Sequence, residues 1–128
     1  VPKSDVVRYG IVDPSETLPR DVYKLHSIVE KPTVDEAPST LAAGGRWLLT
    51  PEIFALLEKT KPDASGEIQI TKALQALAQT GPLYAKEYEG IYRDCGNKIE
   101  YLKAVIHFAL KHPDTKDAIA SYIHELGI

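Results

Sequence analysis

Four short segments of this chain carry residues that could do chemistry, and each ends an apolar run with a glycine or a charge. They are Arg8-Tyr9-Gly10-Ile11-Val12, Val29-Glu30-Lys31-Pro32, Gly66-Glu67-Ile68-Gln69-Ile70-Thr71 and Tyr92-Arg93-Asp94-Cys95-Gly96-Asn97-Lys98. In an open α/β sheet, strand ends of this kind face the ligand crevice. Glu30-Lys31 pairs an acceptor for vicinal hydroxyls with an ammonium that can neutralise a phosphate. Taken alone, the dipeptide reads first as a solvated strand end. Asp94 could ligate Mg²⁺, a hard cation that takes carboxylate, phosphate and water oxygens. Equally, it could be a turn or cap residue ahead of the next helix. Gly10 would let a sugar ring approach the main chain, or it could mark a bulge in an edge strand.

Other chemistries find little support. Cys95 has His26, His107, His112 and His124 as nominal bases, but no cysteine-hydrolase signature surrounds it. His107 and His112 lack further partners at zinc spacing. The glycines form neither a G-x-x-x-x-G-K-[ST] loop nor a G-x-G-x-x-G turn.

The 128 residues suit one domain, with 44% hydrophobic and 26% charged residues as in ordinary soluble proteins. A net charge of −3 leaves no electrostatic footprint for nucleic acid. No apolar run approaches a membrane span, so neither nucleic acid nor membrane is an expected partner. The lone cysteine fits a reducing compartment, and a cytoplasmic location is expected. The absence of methionine suggests a chain that begins inside a longer one.

The elements that must position these residues follow from punctuation and period. Strands are expected at 6–12, stopped by Asp13-Pro14-Ser15; at 22–30, closed by Lys31-Pro32; and at 41–49, softened by Gly44-Gly45. The residue before Pro32 is expected to be extended. Thr50-Pro51-Glu52 opens a short helix, and apolar spacing over 69–79 gives a second, stopped by Gly81-Pro82. Short strands are expected at 83–88 and 91–93. A helix over 98–111 carries Ile99, Leu102, Val105, Ile106 and Ala109 as a stripe, and a last helix follows Asp114.

These segments, in this order, resemble the C-terminal half of bacterial UTP–glucose-1-phosphate uridylyltransferases, also called UDP-glucose pyrophosphorylases. The matching stretches are RYGIVDP (8–14), IVEKP (28–32), APSTLAAGGRWLLTPEIF (37–54), SGEIQITKAL (65–74) and YRDCGNKIEYLKA (92–104). EIQ-x-T and DCGNK are particular to this branch of the sugar nucleotidyltransferases. The resemblance implies an α/β fold: the C-terminal part of a Rossmann-like nucleotidyltransferase, a mixed sheet with flanking helices and two C-terminal helices. Residues 1–128 would form one unit, with sheet and pocket in 1–97 and the helices in 98–128.

The implied reaction joins UTP and glucose 1-phosphate into UDP-glucose and pyrophosphate, with Mg²⁺ as cofactor. By the same resemblance, Glu30 would hold glucose hydroxyls and Lys31 the sugar phosphate. Gly10 and Ala43 would lie against the sugar through their backbones, and Asp94 would be an aspartate near Mg²⁺. Lys31 and Asp94 would then be the catalytic pair. The C-terminal helices would contribute to homo-oligomer contacts.

Two positions depart from the family pattern: Thr40 replaces the usual Asn, and Lys72 replaces the Asp that follows EIQLT. The family's glycine-rich G-x-G-T-R nucleotide loop does not occur in these residues, so this chain alone is expected to be inactive. Two other readings stay open at this point: a non-catalytic sugar-nucleotide-binding module, and a nucleotidyltransferase for another sugar 1-phosphate.

Overall fold

The computed structural model describes residues 1–64 and 66–127; Ser65, which opens the SGEIQITKAL stretch, lies outside them. The chain divides into two compact units, Val1–Tyr88 and Glu89–Ile128.

The first unit begins with a 3₁₀ helix over Lys3–Arg8 where a strand is expected from residue 6. Asp5 N–H donates to Pro2 O at 2.9 Å, and Asp5 and Arg8 complement the helix dipole at its two ends. The β-branched Val6 and Val7 yield to that turn, and Val6 is fully buried. Strand β1 (Gly10–Leu18) then runs straight through Asp13-Pro14-Ser15, the expected turn. Its pairing with β2 (Val22–Glu30) is antiparallel and shifts register on either side of Pro14. The turn residues thus form a bulge within a continuing strand, a position where an edge strand tolerates proline.

The chain reverses instead at Arg20 and Asp21, both at positive φ (63° and 53°). The end of β3 (Leu83–Lys86) pins this reversal. Lys86 Nζ donates to Arg20 O, and Glu87 N–H donates to Asp21 O at 2.9 Å. β3 pairs antiparallel with β2, giving the order β1-β2-β3. Among the described residues every strand pairing is antiparallel.

Residues 41–49 do not form the expected strand. Ala42 alone bridges to Ile11, and Ala43 N–H donates to Gly10 O at 2.8 Å. Gly44-Gly45 offers no side chains to pack across a ladder, and the pairing stops there. Helix α2 (Ile70–Thr80) packs on the sheet, chiefly on β2, and helix α1 (Glu52–Lys59) packs on α2. Val12, Leu25, Ile28, Ile53, Ala73 and Leu74 form the core between them. Each large side chain buried there is worth roughly 1.5–3 kcal/mol. Thr50 opens α1 through its carbonyl, while its hydroxyl bonds the Glu52 carboxylate and lowers that group's pKa.

In the second unit, residues 91–93 do not form the expected strand. Helix α3 (Lys98–Lys111) is capped by Asn97, whose Oδ1 accepts from Ile99 N–H at 2.9 Å and Glu100 N–H at 3.1 Å. His112-Pro113 ends it, and α4 (Lys116–Glu125) follows. Thr115 Oγ1 closes the connection by donating to Ala109 O at 2.7 Å. Along α3 only Ala104 is buried, whereas Ile99, Leu102, Val105 and Ile106 are exposed.

Candidate functional site

The antiparallel register of β1 and β2 sets Gly10 opposite Glu30 at the end of the hairpin. A Cβ on Gly10 would lie 3.2 Å from Glu30 Oε2, 3.4 Å from Thr71 Cγ2 and 3.5 Å from Ile28 Cδ1. The strand end is crowded enough that glycine is what fits without displacement. Ala43 reaches the same place through its backbone bond to Gly10. Gly10, Glu30 and Ala43, three residues expected at the site, are therefore neighbours.

Lys31 continues directly from Glu30, with its N–H donating to Tyr9 O at 3.0 Å. Its φ is +43°, not the extended value expected before a proline. A non-glycine residue in this region stores about 1–2 kcal/mol of strain. The paired strand on one side and buried Pro32 on the other hold it there. Lys31 itself is exposed.

Thr71, in the first turn of α2, ends the EIQ-x-T motif, which by itself gives it no role. It is 4% exposed, and its hydroxyl donates to Glu30 Oε2 at 2.5 Å. One turn further along, Gln75 Nε2 donates to Ile28 O at 2.6 Å. Both side chains lie on one helix face, so α2 is fastened to the end of β2 at two points. Thr71 sits in a motif particular to the family, but its bond to Glu30 spans 41 residues, and no local signal announces it.

Asp94 belongs to the second unit. Its Oδ1 accepts from Gly96 N–H at 3.1 Å, and its carbonyl accepts from Asn97 N–H at 3.0 Å, so it shapes the turn into α3. Beside it, Glu100 takes Lys103 at 2.7 Å and Arg93 at 2.9 Å. Hydrogen bonds from Lys103 first and Arg93 second hold the Glu100 carboxyl below its ordinary pKa. Among the described residues no group of three or more His, Cys, Asp or Glu side chains could hold a metal ion. Asp94 does fit the part of a single protein ligand, since Mg²⁺ is commonly held by one or two carboxylates with phosphate and water oxygens completing its shell. Cys95 is exposed, and no helix of the described residues is long and apolar enough to cross a membrane.

A short antiparallel sheet under two helices, with a carboxylate and an ammonium at its strand end, belongs to the α/β class. Residues 1–110 match the nucleotidyl transferase family, and the chain belongs to that family. Within it, the chain is 44% identical over 127 residues to UTP–glucose-1-phosphate uridylyltransferase 2 of Streptococcus pyogenes serotype M3. It is 43% identical to the UTP–glucose-1-phosphate uridylyltransferase of Streptococcus pneumoniae serotype 4. Both alignments cover 99% of this chain and 42% of the relative, so the chain spans less than half the length of these proteins. A UDP-glucose pyrophosphorylase solved with UDP-glucose superposes with a TM-score of 0.82 at 39% identity, over 88% of this chain and 42% of that one. The UTP-bound enzyme from Acinetobacter baumannii gives 0.83 at 40% identity, over 98% and 43%. The family resemblance read from the motifs is thereby met.

Proposed function

We propose that this chain carries the sugar-phosphate side of a UTP–glucose-1-phosphate uridylyltransferase. In that reaction a phosphate oxygen of glucose 1-phosphate attacks the α-phosphorus of UTP. The new P–O bond forms as the bond to the β-phosphate oxygen breaks, and pyrophosphate leaves. Positioning and charge stabilisation carry such transfers. Glu30 accepts from the glucose hydroxyls, Lys31 pairs with the sugar phosphate, and Gly10 and Ala43 form the backbone floor. Asp94 offers a carboxylate oxygen to Mg²⁺, which when bound offsets the phosphates' charge. Both Lys31 and Asp94 act here as catalytic residues.

The observation that carries this reading is the crowded end of the β1–β2 hairpin. A glycine where a Cβ would press on the Glu30 carboxylate, that carboxylate itself and a strained lysine meet there. The solved relatives bound to UDP-glucose and UTP support it. The exposed apolar stripe of α3 supports association with a second copy of the chain. The accessible lone thiol of Cys95 suits a reducing, cytoplasmic setting.

The test is an NMR titration of the chain with UDP-glucose and Mg²⁺, run beside Lys31→Ala and Asp94→Asn. Saturable shifts centred on Gly10, Glu30 and Lys31, weakened in Lys31→Ala, are expected. A folded chain whose spectrum stays unmoved at saturating ligand would sink the assignment.

A further inference from the structure

We propose that Thr71 is a positioning residue that sets how Glu30 presents its carboxylate to a sugar, an inference that rests on the role given to Glu30 above. A glutamate at a strand end turns freely about its side-chain bonds, and a grip on two neighbouring hydroxyls needs both oxygens held in one plane. Thr71 supplies that constraint. Its hydroxyl occupies one acceptor site of Glu30 Oε2 at 2.5 Å and leaves the remaining lone pairs for ligand.

Three features make the constraint firm. Thr71 is buried, so water does not compete for its hydroxyl. It is β-branched, which restricts its own rotamers. Gln75 fixes the same helix face to Ile28 O, two residues before Glu30, so the donor cannot drift from its acceptor. Thr71 Cγ2 also crowds the side of Gly10 where a Cβ would stand. The carboxylate is therefore aimed by α2 and not by solvent. What Thr71 controls is discrimination among sugar rings, separate from the phosphate contact made by Lys31.

The experiment measures the affinity of the chain for glucose 1-phosphate, its 2-deoxy and 3-deoxy analogues, and inorganic phosphate. The proteins compared are wild type, Thr71→Val, Thr71→Ser, Glu30→Gln and the Thr71→Val/Glu30→Gln double variant. Thr71→Val keeps the side chain's shape and removes its hydroxyl. The wild type is expected to prefer glucose 1-phosphate over at least one deoxy analogue by roughly tenfold. Thr71→Val should erase that preference while leaving inorganic phosphate binding unchanged. Thr71→Ser should restore it, and the double variant should lose nothing beyond Glu30→Gln. A uniform loss for every ligand in Thr71→Val, without rescue by serine, marks a packing role and overturns the proposal. A preference lost in Glu30→Gln but kept in Thr71→Val overturns it while the role of Glu30 stands. A preference kept in both overturns the role of Glu30 as well.

Discussion

Residues Val1–Tyr88 and Glu89–Ile128 are both rich in apolar side chains, yet they bury them very differently. In the first unit Ile28 and Leu74 are fully enclosed in the core between sheet and helices, and Val6 and Ile11 are fully buried outside it. In the second, α3 and α4 enclose Ala104 alone, and Leu102 keeps 54% of its surface. A sheet with two helices on it closes a core. A pair of helices presents a second apolar face that it cannot cover itself. The first unit is thus stabilised from within, and the second draws on its caps, its ion pairs and whatever surface comes to meet its stripe.

The largest test of this contrast sets Leu74→Ala against Leu102→Asp. Leu74→Ala should cost about 2–5 kcal/mol in urea denaturation, independent of protein concentration. Leu102→Asp should leave the dilute chain's stability within about 0.5 kcal/mol while abolishing concentration-dependent association in light scattering. Equal costs for the two would show that the α3 stripe is as well buried as the core.

Next in size is the strain at the site end of the first unit. Lys31→Gly should raise unfolding stability by about 1 kcal/mol, by relieving the positive φ, while glucose 1-phosphate binding is lost. A variant destabilised by glycine would show that the lysine conformation is relaxed. In the second unit, Asn97→Ala should cost about 1 kcal/mol, read as faster amide exchange over the first turn of α3.

The smallest expected effect is the pH response of Glu100. Its carboxyl is held below the ordinary value of 4.5 by Lys103 and then Arg93. Its contribution is therefore complete above pH 4.5 and is lost as pH falls through the lowered value. Because the pair is accessible, added salt should weaken the effect. Amide exchange along α3, followed as the pH is lowered, should show this loss in wild type but not in Glu100→Gln.

What the sequence discloses depends on whether local residues decide the outcome. Val22–Glu30 and Lys98–Lys111 are legible to the residue. Lys31-Pro32 closes the strand, while an apolar stripe at helical spacing and the His112-Pro113 stop mark the helix. Asp13-Pro14-Ser15 misleads because the same residues suit a turn or a bulge, and only the register against β2 decides between them. Residues 41–49 and 91–93 mislead because apolar composition alone cannot supply a partner strand. At the candidate site, Gly10, Glu30, Lys31 and Ala43 are found through motifs, but the conformation of Lys31 and the Thr71–Glu30 bond are not. The first opposes the local preference before proline, and the second joins residues far apart in the chain.

β1 forms one margin of the sheet, where unsatisfied main-chain groups can template the addition of a foreign strand. Here the chain occupies that margin itself. Gly10 O receives Ala43 N–H, Val12 N–H gives to Leu41 O, and Val12 O accepts Ser39 Oγ. Pro14, next along, has no N–H to offer. Addition of a foreign strand along the Gly10–Pro14 part of this margin is thereby blocked, so a second chain can reach this end of β1 only through side chains.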